Sequence, residues 1–403
     1  MSLKLLVYDD NAGFRAALAS HVKRGAKGLD PDMQVLSDKD FTSQLEELAS
    51  RQREGRAPPA KPPTGKASFD WPDVFLLDFD LRDIPALPLL NGEWVSYFVR
   101  CYSNTRLIVS VNPLPKRIFD LRLRSTYTDS WADVSVYAED LALPGLWRHS
   151  DARTLTYRPW YWPHIPTLYE NMRQMVSEAA KHMDTPLLDF FDFPVAARNA
   201  MPKDLSTASV SEPSTATFRT VAAGRIRKQD VQNLDDARLA KIAASAVHSW
   251  LEHVVLPGQH VLVDAPHLVY RYPSLLKGNA KKIAAWNATS NLEIEPSEYL
   301  DDRAISNARF KRKAWLSRPV WWASTLSSNS GIAEVKSPWT YTPPTWVFAE
   351  DTSRFHEESE CEPFLAAGSS AYARRWIRMR KEMAAKEDVQ YEPAMRLAAS
   401  KVA

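Results

Sequence analysis

Three carboxylates stand where they could do chemistry. Asp9 and Asp10 follow the apolar run Leu3–Tyr8 (LKLLVY), and Asp78 follows a second run, Val74–Leu77 (VFLL). If both runs are neighbouring parallel strands, the three side chains leave the same edge of the sheet. Ligands of open α/β sheets gather at that edge, where the strand order reverses. Clustered carboxylates repel one another unless a cation lies among them, and a hard ion that prefers oxygen, such as Mg²⁺, suits the set. With charge offset in that way, one carboxylate can act as a nucleophile toward a phosphoryl group.

The elements that must position these acids can be read along the first 150 residues. Apolar runs at Leu3–Tyr8, Met33–Leu36, Val74–Leu77, Leu107–Val111 and Val134–Ala138 predict five strands. Helical spacing of apolar residues follows the first (Phe14, Ala17, Leu18, Val22) and the second (Phe41, Leu45, Leu48), with Asp38 or Asp40 as its cap. A third helix is predicted over Gly92–Tyr102. Continuous apolar runs alternating with helices indicate a parallel sheet covered on both faces. The fold class expected is therefore α/β, a doubly wound five-stranded parallel sheet, followed by a larger α+β part.

The segments LLVYDDN, DVFLLDFDLRD and LIVSVN resemble the receiver domain of response regulators, in the order that family uses. The resemblance covers about residues 1–145 and implies a flavodoxin-like fold. It implies that Asp9, Asp10 and Asp78 hold Mg²⁺, that Asp78 accepts the phosphoryl group, and that Ser110 is the switch hydroxyl. Gly92 falls near the glycine that often opens the following segment. Two departures stand out. The family places a lysine at the end of strand five, where this chain has Ala138 and Glu139, with Lys116 as a substitute from another direction. A proline-rich insertion, residues 54–66, precedes strand three. The implied partner is a histidine kinase or other phosphodonor; a receiver without phosphotransfer would instead be a docking scaffold in a multiprotein assembly.

Four regions are expected: 1–150 receiver-like, 151–202 an aromatic and helical connector, 203–217 a Ser/Thr/Pro-rich linker or loop, and 218–403 an α+β output or partner-binding part. In the last, Arg309, Lys311, Arg312, Lys313 and Arg318 interleave with Phe310, Trp315, Trp321 and Trp322. Cations beside rings could bind nucleic acid, or could be a solvated helix face whose aromatics belong to the core or to a protein interface; the second is favoured. Strands are predicted at His260–Ala265 and Trp346–Ala349, a helix at Leu239–Val255 and a basic helix at Ala371–Lys386. His260, Asp264 and His267 match no zinc spacing, and Glu350–Asp351 reads as a polar turn.

Composition narrows the classes. The 403 residues carry 51 Lys plus Arg and 49 Asp plus Glu, so the +2 balance predicts no polyanion partner by global charge. Two cysteines cannot build a disulfide framework or a cysteine zinc site. No run is long enough to span a membrane, and MSLKLLVYDDN carries acids where a secretory signal needs apolar residues. A cytoplasmic regulatory protein is expected, with no membrane partner and no catalytic motif in its C-terminal part.

Overall fold

A computed structural model describes residues 2–61, 67–81, 90–112, 130–148, 164–199, 210–256, 258–277, 282–290, 298–329, 332, 346–350, 352, 354–366, 375–378 and 390–391. Strands β1 (Lys4–Tyr8), β2 (Asp32–Val35), β3 (Val74–Asp78), β4 (Leu107–Asn112) and β5 (Val134–Tyr137) form one sheet. Its order is β2-β1-β3-β4-β5 and every pairing is parallel. The α/β sheet expected from the apolar runs is present, with the order reversing between β1 and β3.

Successive side chains of a strand point to opposite faces. Leu5, Val7, Val74, Leu76, Leu107 and Val109 pack with Leu18 and Val22 of α1 (Ala12–Gly25). Leu6, Tyr8, Phe75, Leu77 and Ile108 pack with α2 (Asp38–Glu54) and α3 (Gly92–Tyr102) on the other face. Burial on both faces is why these strands read as unbroken apolar runs. The cap of α2 differs from expectation. Ser37 is the N-cap and accepts from the Asp40 amide, while Asp38 and Asp40 occupy the first turn, where carboxylates favour the positive end of the helix.

Past β5 the chain closes the α1 face with short turns. The Trp147 indole donates to the Leu141 carbonyl at 2.7 Å, against Gly25 of α1. Helix α4 (Ile165–Lys181) then spans both cores: Ile165 and Leu168 join the α1 side, Met172 and Met175 the other. A helix over Asp236–Trp250, capped by Asp235, is buried on nearly all sides and continues as a π-turn, Leu251–Val255. It lies against α3, α4 and the helix Phe218–Arg225. The described end of the Ser/Thr/Pro-rich stretch is tied down: Val210 is buried and the Ala216 carbonyl accepts from Leu187 at 2.8 Å.

The C-terminal part holds an antiparallel pair, β6 (Leu262–Asp264) with β7 (Val320–Trp322), and a mixed sheet. The latter contains β8 (Trp346–Ala349), β9 (Arg354–Glu357), β10 (Glu362–Ala366), β11 (Arg375–Ile377) and β12 (Gln390–Tyr391). The strand expected at His260–Ala265 stops at Asp264, because that side chain caps a helix, Ala265–Arg271, carrying Pro266 in its first turn. Of the basic helix expected over Ala371–Lys386, residues 371–374 and 379–386 lie outside the described residues, and the described part is corrected: Arg375–Ile377 is strand, and Trp376 is buried beside β8. Among the described residues no helix is long and apolar enough to cross a membrane.

Candidate functional site

Parallel pairing of β1 with β3 sets Tyr8 beside Leu77, so the residues that follow, Asp9 and Asp78, leave the sheet side by side. One carboxylate oxygen from each of Asp9, Asp10 and Asp78 lies within 4.8 Å of the others. Asp9 and Asp78 are each only 3% exposed, and Asp10 is half-buried. The Asn11 amide donates to Asp9 at 2.8 Å, and Asn11 in turn caps α1. Oδ1 of Asp78 is buried and has no hydrogen-bond partner among the described residues. Burial, followed by the charge of Asp9, pushes the Asp78 carboxyl up to about 8, although the Asp80 amide acts in the opposite direction.

Beneath Asp78 the chain leaves no spare room. The Phe79 amide donates to the Val111 carbonyl at 2.9 Å, and the Gly92 amide donates to Phe79 at 2.9 Å. A Cβ on Gly92 would come within 2.6 Å of the Asp78 carbonyl oxygen, so only glycine fits where α3 meets the end of β3. Ser110 sits opposite Leu77 in the β3–β4 register, one position before Val111, the partner of Asp78. Its hydroxyl is buried without a hydrogen-bond partner among the described residues. The pleat puts Ser110 on the α2/α3 side, with Ile108. The three acids are thus brought together, and Ser110 stands on the adjacent strand. At the end of β5, the Ala138 carbonyl meets His21 Nδ1 at 2.8 Å and Glu139 is exposed; Lys116 lies outside the described residues.

The C-terminal candidates are differently placed. Phe310, Trp315, Trp321 and Trp322 are all buried. Trp315 donates to Glu178 at 2.8 Å, and Arg312 donates to the Phe190 carbonyl at 3.0 Å while lying over the Phe190 ring. Arg309 is 3.8 Å from Asp302, and Lys311 and Lys313 are exposed. The rings of this segment therefore build the core, and no stacking platform is presented by them.

A second buried polar cluster escaped the sequence. His267 Nδ1 meets Asp264 at 2.6 Å and its Nε2 meets Glu350 at 3.0 Å, while Arg318 lies 3.2 Å from Asp264. Burial alone would deprotonate His267, but the two carboxylates outweigh it and hold its pKa above the ordinary value. With both ring nitrogens so engaged, the cluster is an ion-pair network joining the end of β6 and the helix after it to the residues that precede β7 and follow β8. Asp264 and His267 were legible as candidates; Glu350, 83 residues beyond His267, had no signal connecting it.

No family model, curated protein or solved structure matches this chain.

Proposed function

We propose that residues 1–145 form a receiver-like module of a response-regulator-type signalling protein, in which Asp78 accepts a phosphoryl group from a phosphodonor such as a histidine kinase. What supports the reading most is the convergence of Asp9, Asp10 and Asp78 at the point where the strand order reverses. The buried, unpartnered Oδ1 of Asp78 suits a group that awaits a cation or a phosphoryl. A Mg²⁺ ion held by the three acids would set positive charge against the phosphoryl oxygens. Asp78 attacks phosphorus through one carboxylate oxygen, forming an acyl phosphate as the donor's bond to phosphorus breaks. Ser110 on the adjacent strand and the α3 start at Gly92, against the Asp78 carbonyl, would register the added charge. The C-terminal part would then be an α+β module that binds a macromolecular partner. Acetyl phosphate with Mg²⁺ should add one phosphoryl mass to the wild type and none to Asp78→Asn. A wild type that gains no mass overturns the reading.

Ala138 and Glu139 at the end of β5 favour a second reading, a receiver-shaped docking module that works without phosphorylation. An exposed acid in place of a cation there offers an incoming phosphoryl group no counter-charge. Beryllofluoride with Mg²⁺ would then leave the intrinsic tryptophan fluorescence unchanged.

A further inference from the structure

Asp78 is followed two residues later by a further carboxylate, Asp80, which stands outside the trio of Asp9, Asp10 and Asp78. Phe79, between them, is fixed. Its side chain is buried, its amide donates to the Val111 carbonyl at 2.9 Å, and its carbonyl accepts from the Gly92 amide at 2.9 Å. The Asp80 amide is bonded to the Asp78 carboxylate, a local turn that keeps Asp80 at the same edge of the sheet. After burial, the charges felt at Asp78 are those of Asp9, Asp10 and Asp80. Asp80 is half-buried whereas Asp78 is only 3% exposed, so water reaches Asp80 more readily.

The balance of charge gives Asp80 a task other than holding a cation. Asp9, Asp10 and Asp78 already set three negative charges against a divalent ion, and a fourth only weakens the pull on a phosphoryl group. A carboxylate offers about four lone-pair positions, so it can keep a neighbour and still accept from a water molecule. The buried Oδ1 of Asp78, without a hydrogen-bond partner among the described residues, is the atom to which a phosphoryl group would attach. A second carboxylate at the same edge, nearer to solvent, is then placed as a general base toward water.

We infer that Asp80 takes a proton from a water molecule that attacks the phosphoryl group on Asp78, so that this edge hydrolyses small acyl phosphates instead of storing the phosphoryl. The role depends on Asp78 being the phosphoryl acceptor. The donor's carboxylate leaves without needing a proton, which suits acyl phosphates to an edge lined by acids. The water oxygen then bonds to phosphorus, the bond from phosphorus to Asp78 breaks with its electron pair left on the carboxylate, and the proton passes from Asp80 to the released phosphate or to solvent. Acetyl phosphate with Mg²⁺, given to the full chain, should release inorganic phosphate over many turnovers from the wild type and none from Asp78→Asn. After the donor is removed, the phosphoryl mass on Asp80→Asn and Asp80→Ser should outlast that on the wild type by about tenfold or more, as loss of a general base requires. Asp80→Glu, which restores a carboxylate, should shorten it again. Equal lifetimes in the wild type and both variants overturn the role of Asp80 while leaving Asp78 the acceptor. Variants that gain no mass where the wild type does overturn it too, since Asp80 would then serve the transfer to Asp78. Phosphate release by Asp78→Asn at the wild-type rate places the activity elsewhere and overturns it. If neither the wild type nor the Asp80 variants gain mass or release phosphate, Asp78 is no acceptor and the role of Asp80 falls with it.

Discussion

The ammonium of Lys241 reaches the C-terminal end of α3 and donates to the Ser103 carbonyl at 2.6 Å. It also donates to the carbonyls of Thr105 at 3.2 Å and Val99 at 3.5 Å, so one side chain of the helical layer caps a helix of the sheet layer. Burial, then the charge of Arg100, pulls its pKa down to about 7.

Lys241→Met should lower stability by about 1–3 kcal/mol, because helix-end carbonyls lose their donor in a buried place. Denaturant midpoints compare the two proteins. The unfolded lysine keeps its proton to about pH 10, so it binds more protons than the folded one above neutrality. Wild-type stability should therefore rise relative to the variant as pH increases from 7. A constant difference would show that Lys241 does not titrate in the folded state.

Asp78 gives the opposite slope. Its folded carboxyl holds a proton up to about 8, while the unfolded one releases it near 4, so stability falls as pH rises between those values. Asp78→Asn should remove that loss and raise stability by about 1–3 kcal/mol at pH 8.5, with little change at pH 4. Thermal melts at the two values decide it, and a variant less stable at pH 8.5 would contradict the buried repulsion from Asp9.

Gly92→Ala should cost about 1–3 kcal/mol, since the new methyl would press on the Asp78 backbone where α3 begins. Melting temperature reads the cost. Gly224, whose added Cβ would meet nothing within 4 Å, is the control: Gly224→Ala should leave stability unchanged or raise it.

The His267 network predicts pH sensitivity in the C-terminal part. A histidine whose pKa is raised on folding stabilises the protein below its unfolded value of about 6.5. That contribution is lost as pH climbs through the folded value. Asp264 is lowered, because His267 and Arg318 outweigh its burial, so its contribution disappears in acid. His267→Gln should flatten the alkaline loss, measured as the pH profile of the denaturant midpoint. A difference between wild type and variant that stays constant above pH 6.5 would mean the ring stays neutral between its carboxylates.

The sheet and its acids were legible for one reason: strands buried on both faces must be apolar throughout, so Asp9 and Asp78 mark their ends in the sequence. The Asp264–His267–Glu350 network was not, because β8 meets the helix Ala265–Arg271 only through tertiary packing. The segment around Trp376 was misread as helix because its Arg, Lys, Met and Ala have high helix propensity. Pairing with β8 and burial of Trp376 prevail over that local preference. Ser37, one residue ahead of Asp38, illustrates the ordinary uncertainty of a cap among several competent side chains.

Helix α3 is fixed at both tips, by the Gly92–Asp78 contact at its start and by Lys241 at its finish. A strut anchored in this way cannot slide without straining one anchor or the other. Any displacement imposed at the tip of β3 is therefore shared with the Asp236–Trp250 helix, and the sheet and the helical layer must respond as one mechanical body.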